Sequence, residues 1–227
     1  MSPTSLAGRW LVAPALRTRP GIGLWMVGLA VLAFLRAPYI LTSGRLWAEE
    51  GSVYFARAVT EGSWAGLTFV YQRAGYFHLF ANVGTWFASL LPLPVAPLAT
   101  AWLSYVLVVV LLWIVITWPS ELLTSSLAGH AAASLLLVGA LAHPEVWLNT
   151  INAQTYLGVL ALLLLYVKLE DLSRTRFLVS STLLGIGSLS GLYSVILAPL
   201  FVIRALREKT FRASVHASVI AGAALIQ

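Results

Sequence analysis

The sequence has no cysteine, which excludes disulfides, thiolate nucleophiles and Cys-ligated metal sites whichever compartment its loops face. Charge is nearly as scarce, since 10% of the 227 residues are charged and only eight are acidic. Set against 59% hydrophobic residues and a mean hydropathy of +0.88, this shortage excludes an ordinary soluble domain. It points to an all-α, polytopic integral membrane protein. A continuous basic face is missing too. The net charge of +6 comes from Lys and Arg in short clusters beside apolar runs, which reads as a topology signal. Membrane lipids are then the expected surroundings and nucleic acid is not an expected partner. No small-residue cleavage site closes the first apolar run, so residues 1–21 read as an uncleaved cytoplasmic segment.

What is present is a series of apolar runs at about 22–41, 95–117, 129–142, 154–168, 177–203 and 213–227, with a shorter one at 76–91. Arg9, Arg17 and Arg19 precede the first run, so the positive-inside rule places the N-terminus in the cytoplasm and residues 43–75 outside. Two topologies compete. If 76–91 spans and 177–203 is one helix, Lys168, Arg174 and Arg176 fall outside, against the rule. If 76–91 lies along the outer interface and 177–203 is a hairpin broken near "GSLSG", ten of the fourteen basic residues are cytoplasmic. The second scheme is preferred, although its arms are only about 24 Å each against about 30 Å of hydrocarbon. It gives a transmembrane domain over 22–227 with about seven spanning helices, juxtamembrane helices on the extracytoplasmic face and an outer loop at 43–94. The sequence shows no convincing internal repeat, and it stops within "VIAGAALIQ". The expectation is a truncated or unusually short member of a larger protein in the plasma (inner) membrane.

Three polar clusters then meet the outer face: "WAEEGSVYFAR", "YQRAGYFHLFAN" and "HPEVWLNTINAQTY". Adjacent Glu49 and Glu50 invite two readings of equal weight. As a catalytic pair, one is a general base and its neighbour raises its pKa or helps hold a divalent cation; as plain structure, both begin a surface helix. Arg36, at the outer end of the first run, snorkels or anchors a lipid-linked phosphate, and Arg73 has a similar claim. His78 and His143 are candidate acid/base or orienting groups, but two distant histidines make no metal motif, so no metal ligands are assigned. Tyr76, Asn149, Asn152 and Gln154 are candidate substrate contacts. The plainer alternative for "NTINAQ" is a hydrogen-bonded turn between helices. Trp47, Tyr54, Tyr71 and the other aromatics on this side form an interfacial belt of which a minority stack on a sugar or isoprenoid.

"LWAEEGSVYFARA", "YQRAGYFHL", "HPEVWLNTINAQTYL" and the Gly-broken hairpin together resemble membrane glycosyltransferases of the GT-C type. They are most similar to bacterial members carrying a Trp-Ala-Glu-Asp-Gly element. The resemblance implies a multi-helix fold, a polyprenyl-phosphate-linked sugar donor and an acidic residue of the first outer loop at the catalytic centre. In the related pattern an acid precedes an aromatic by four residues, which Glu50 and Tyr54 satisfy, so Glu50 is the first choice of base and Glu49 the second. Arg73 or Arg36 would stabilise the departing phosphate. This sequence departs from the pattern in having Glu for Asp and in the Gln-Arg of "YQRAGY". The rival expectation is a transporter or flippase that binds a lipid-linked phosphate without cleaving it. A third is a structural membrane partner whose outer polar residues point apart.

Overall fold

The computed structural model describes residues 19–73, 75–120, 133–134, 138–139 and 147–227, and these are mostly helical. The first helix, α1 (Arg19–Leu35), stops before Pro38, which disfavours helical backbone at Ala37 (φ −154°) and then opens α2 (Pro38–Ser43). An outer segment follows. A wide π-helical turn at Glu50–Phe55 runs into α3 (Ala56–Thr60), and α4 (Ser63–Leu67) leads to a short antiparallel ribbon of β1 (Val70–Tyr71) and β2 (Tyr76–Phe77). His78 then caps α5 (Leu79–Ser89).

The remaining helices are long and apolar: α6 (Ala96–Thr117), α7 (Ala153–Leu165), α8 (Arg174–Ser188), α9 (Tyr193–Glu208) and α10 (Phe211–Ile226). One core cluster joins Leu107, Leu111 and Val115 of α6 to Leu157, Leu160 and Leu164 of α7, and reaches Leu184, Phe201 and Ile220. The same helices carry exposed Leu24, Trp102, Ile196 and Leu225 on the outside of the bundle, so their apolar residues are not confined to a core-facing stripe.

Among the described residues, α6 is the one helix that is both long and apolar enough to cross a membrane alone, at 22 residues or about 33 Å. The apolar stretches Gly21–Leu35, Ala153–Leu165 and Phe211–Ile226 are shorter. The expected hairpin within 177–203 is a helix break at 189–192 between α8 and α9. At 76–91 the helix has 11 residues, about 17 Å, and is too short to span.

The polar groups gather at two ends of the bundle. At one end Arg204 donates to the carbonyls of Leu164, Leu165 and Val167, Arg212 to those of Leu169 and Leu172, and Arg176 to that of Thr117. At the other end the turn at 147–152 meets the outer segment and the 189–192 break.

Candidate active site

The two glutamates part company within one residue. At Ala48 the backbone is left-handed (φ 42°), a costly conformation for a residue with a Cβ, and it turns the chain just before the π-helical turn begins. Glu50 is thereby fully buried while Glu49 stays exposed. The Thr150 amide and hydroxyl donate to Glu50 Oε1 at 2.7 and 2.6 Å, and the Trp47 amide donates to Oε2 at 3.2 Å. Burial pushes the Glu50 carboxyl above the ordinary carboxylate range, opposed by those donors and by nearby Arg45. Glu50 therefore staples the outer segment to the 147–152 turn, with both oxygens engaged by donors of the fold. Glu50 and Tyr54, the pair picked out by spacing, share the inward side of the π-helical turn, and Glu49 is the exposed carboxylate of the two.

Glu49 lies at a hollow of about 250 Å³ lined by Trp47, Ala48, Asn149, Ile151 and Asn152. The Tyr71 hydroxyl donates to its Oε1 at 3.2 Å. Tyr54 packs edge-on to Tyr71, with ring centroids 6.1 Å apart, and burial raises the Tyr54 and Tyr76 pKa values, with the Glu49 charge adding to the effect. Gln154 donates to the Tyr76 hydroxyl at 3.2 Å. The hollow thus presents a carboxylate, held by Tyr71, and two amide side chains, a donor and acceptor set suited to polyols, while the Tyr76–Gln154 pair is not part of its lining.

His78 belongs to the support of this site. Its Nδ1 accepts from the Ala81 amide at 3.2 Å, which leaves the proton on Nε2, and that group lies 2.7 Å from the Ile151 carbonyl. Burial pushes its pKa down to about 4. The expected orienting or acid/base histidine is thus a neutral helix cap that fastens α5 to the turn. Asn149 combines both readings offered for "NTINAQ": its Oδ1 accepts from the Asn152 amide at 2.7 Å, and it also lines the hollow.

The two expected arginines lie elsewhere. Arg36 donates to the Val138 carbonyl and stacks 4.0 Å from the Trp147 ring centroid, beside a groove of about 400 Å³ that also includes Leu32, Leu35 and Gly139. Arg73 lines a separate cleft with Arg57. His143, with Glu145 and His130, lies outside the described residues. Among the described residues no three His, Asp or Glu side chains gather as a metal site requires.

Four contributors escaped the sequence reading. Arg45 donates to the Trp147 carbonyl at 3.3 Å and lies 4.3 Å from the Trp47 ring centroid, a pairing hinted at only by their closeness in "RLWAEE". Tyr71 was one aromatic among many in the presumed belt. Thr150 and Arg57 carried no local signal. Comparison of the chain with family models, with curated proteins and with solved structures returned no match.

Proposed function

We propose that the chain is a membrane-embedded glycosyltransferase of the GT-C type, or its helical module, which moves a sugar from a polyprenyl-phosphate-linked donor to an extracytoplasmic acceptor. The observation that carries this reading is an alternation of cations and indoles, Arg36 on Trp147, Arg45 on the Trp147 carbonyl and on Trp47. It links the apolar groove beside Arg36 to the hollow that holds Glu49. A lipid carrier lies along the groove, its phosphate meets the guanidinium groups, and its sugar reaches the hollow.

In this mechanism Glu49 is the base. Tyr71 occupies Oε1, so Oε2 takes the proton of the acceptor hydroxyl. The acceptor oxygen bonds to the anomeric carbon while the bond from that carbon to the phosphate oxygen breaks, and the phosphate leaves with the electron pair, held by Arg36 or Arg45. Asn152, Gln154 and Tyr76 orient the sugar, and Glu50 fastens the turn that carries Asn149 and Asn152 through Thr150.

The membrane setting follows the same reading. About seven spans, a cytoplasmic N-terminus and an integral inner-membrane location are supported by the apolar exterior of the bundle and by the seven basic residues from Lys168 to Arg176 and from Arg204 to Arg212, which lie together at one end. Each short helix then needs local thinning or shielding by its neighbours. The test is transfer from a polyprenyl-phosphate sugar by the purified chain in nanodiscs, alone or with whatever further domain it naturally carries. Absence of any transfer would remove the reading, and unchanged transfer by Glu49→Gln would remove Glu49 as its base. A flippase-type alternative is favoured by one feature, that no carboxylate lines the Arg36 groove among the described residues. It predicts carrier binding that needs Arg36 and is indifferent to Glu49.

A further inference from the structure

Tyr71 is a shared wall. Its hydroxyl faces Glu49, and its ring also lines a second, larger opening of about 570 Å³ between the π-helical turn, α4 and the ribbon. Arg57, Thr68, Phe69, Gln72 and Arg73 complete most of that lining, which has two cations and no acid among the described residues. Neither cation is used up by the fold. Arg57 reaches Glu61 through Nη2 at 2.7 Å, an (i, i+4) pair that is 39% and 49% exposed, and such pairs are weak. Its guanidinium lies 4.5 Å from the Phe69 ring centroid, and its Nε is a buried donor without an acceptor. Arg73 is exposed near the tip of the ribbon.

We infer that this cleft binds the anionic group, phosphate or carboxylate, of a water-soluble glycan. An oxyanion entering the cleft meets the half-exposed Arg57 and the exposed Arg73, and guanidinium groups recognise such anions through charge-assisted hydrogen bonds. Gln72 and Thr68 add polar contacts suited to a sugar, and the volume accommodates a short oligosaccharide. The lipid donor is the poorer occupant, because its apolar groove lies beside Arg36, whereas the wall here mixes apolar residues with Thr68, Gln72 and two arginines. Calling the occupant the acceptor rests on the transferase reading. The binding itself does not.

The experiment measures binding of glucose 6-phosphate, glucuronate and glucose to the full chain in phosphatidylcholine nanodiscs by saturation-transfer NMR. Both anionic sugars are expected to bind at least ten-fold more tightly than glucose. The double variant Arg57→Gln, Arg73→Gln should abolish that preference, and Arg73→Gln alone, at an exposed position, should weaken it without disturbing folding. Equal binding of all three sugars, or an undiminished preference in the double variant, overturns the inference. Displacement of glucose 6-phosphate by a polyprenyl phosphate placed in the nanodisc also overturns it, and gives the cleft to the lipid carrier. Transfer by the unaltered chain, measured in parallel, separates the two ideas. If no sugar is transferred while the anionic preference holds, the transferase reading fails and the cleft stands.

Discussion

The two polar ends of the bundle use similar side chains to different effect. At the basic end, Arg204 meets three carbonyls in and just beyond the last turn of α7 and the Glu208 carboxylate, and Arg212 meets carbonyls of the turn before α8. These bonds satisfy helix-end carbonyls that nothing else in the helix can reach, so the charges there are absorbed by the fold. At the outer end Glu50 and His78 are absorbed in the same way, each joining the outer segment to the 147–152 turn. Glu49, Arg57 and Arg73 are left with polar capacity that faces a cavity. Chemistry is to be sought where such capacity exceeds what folding consumes, which is at the outer end.

The sharpest way to break this comparison sets the two glutamates against each other. Glu49→Gln is expected to lower kcat for transfer by 100-fold or more, within the range for loss of a general base, while the thermal midpoint stays within a few degrees. Glu50→Gln should instead destabilise the fold by about 2 kcal/mol, because its amide N–H would face the donors of Thr150 or Trp47. The folded fraction should retain most of its transfer. The reverse pattern, an inactive but stable Glu50→Gln with an active Glu49→Gln, restores the order read from the sequence.

That order illustrates what was legible. The all-helical class, the break at 189–192 and the shortness of the helix within 76–91 follow from apolar periodicity and from Gly and His placement, which act locally. The side on which each glutamate falls was not legible. It depends on a left-handed Ala48 and on a wide helical turn, neither of which has a residue-type signature, since alanine disfavours the first and "EGSVYF" reads as ordinary helix. The partner that buries Glu50 is Thr150, one hundred positions away, and no spacing rule reaches it. The sequence reading set Arg36 and Arg73 side by side as candidate phosphate anchors, but their separation into two cavities is a tertiary fact.

A second prediction concerns His78, the other absorbed group. Its folded pKa of about 4 lies below the ordinary 6.5, so the unfolded chain binds the proton more readily between those values. Its contribution is complete above about pH 6.5 and is lost as pH falls through 4, by about 3 kcal/mol in all. Tyr54 and Tyr76, which pack against its ring, do not titrate in that window. Glu50 has the opposite sign, since its raised pKa favours folding at low pH. His78→Asn retains a helix cap, and should flatten the loss of tryptophan-monitored stability between pH 6.5 and 4. An unchanged slope would show that another group governs acid sensitivity. At the basic end, Arg204→Met should cost a comparable or smaller amount, about 2 kcal/mol, by leaving carbonyls unpaired. It should leave kcat untouched, and a fall in kcat per folded molecule would erase the distinction between the ends.

The smallest effect sharpens the comparison within the outer end itself. Gly84 of α5 sits so close to the 147–152 turn that an added Cβ would lie 2.6 Å from Thr150 Cγ2. Glycine is required there for closeness of approach, since Gly84 lies inside a helix where alanine is intrinsically the better residue. Gly84→Ala therefore sets a helix gain of about 1 kcal/mol against an overpacking cost of about 1–3 kcal/mol. A net loss of about 1 kcal/mol is expected. Because the methyl would push on the same threonine that holds Glu50, the loss should be smaller when Gly84→Ala is combined with Thr150→Ser, which removes the opposing Cγ2 and keeps the hydroxyl. Simple additivity of the two changes would mean that α5 does not press on the turn, and that the staple through Thr150 is set by the turn alone.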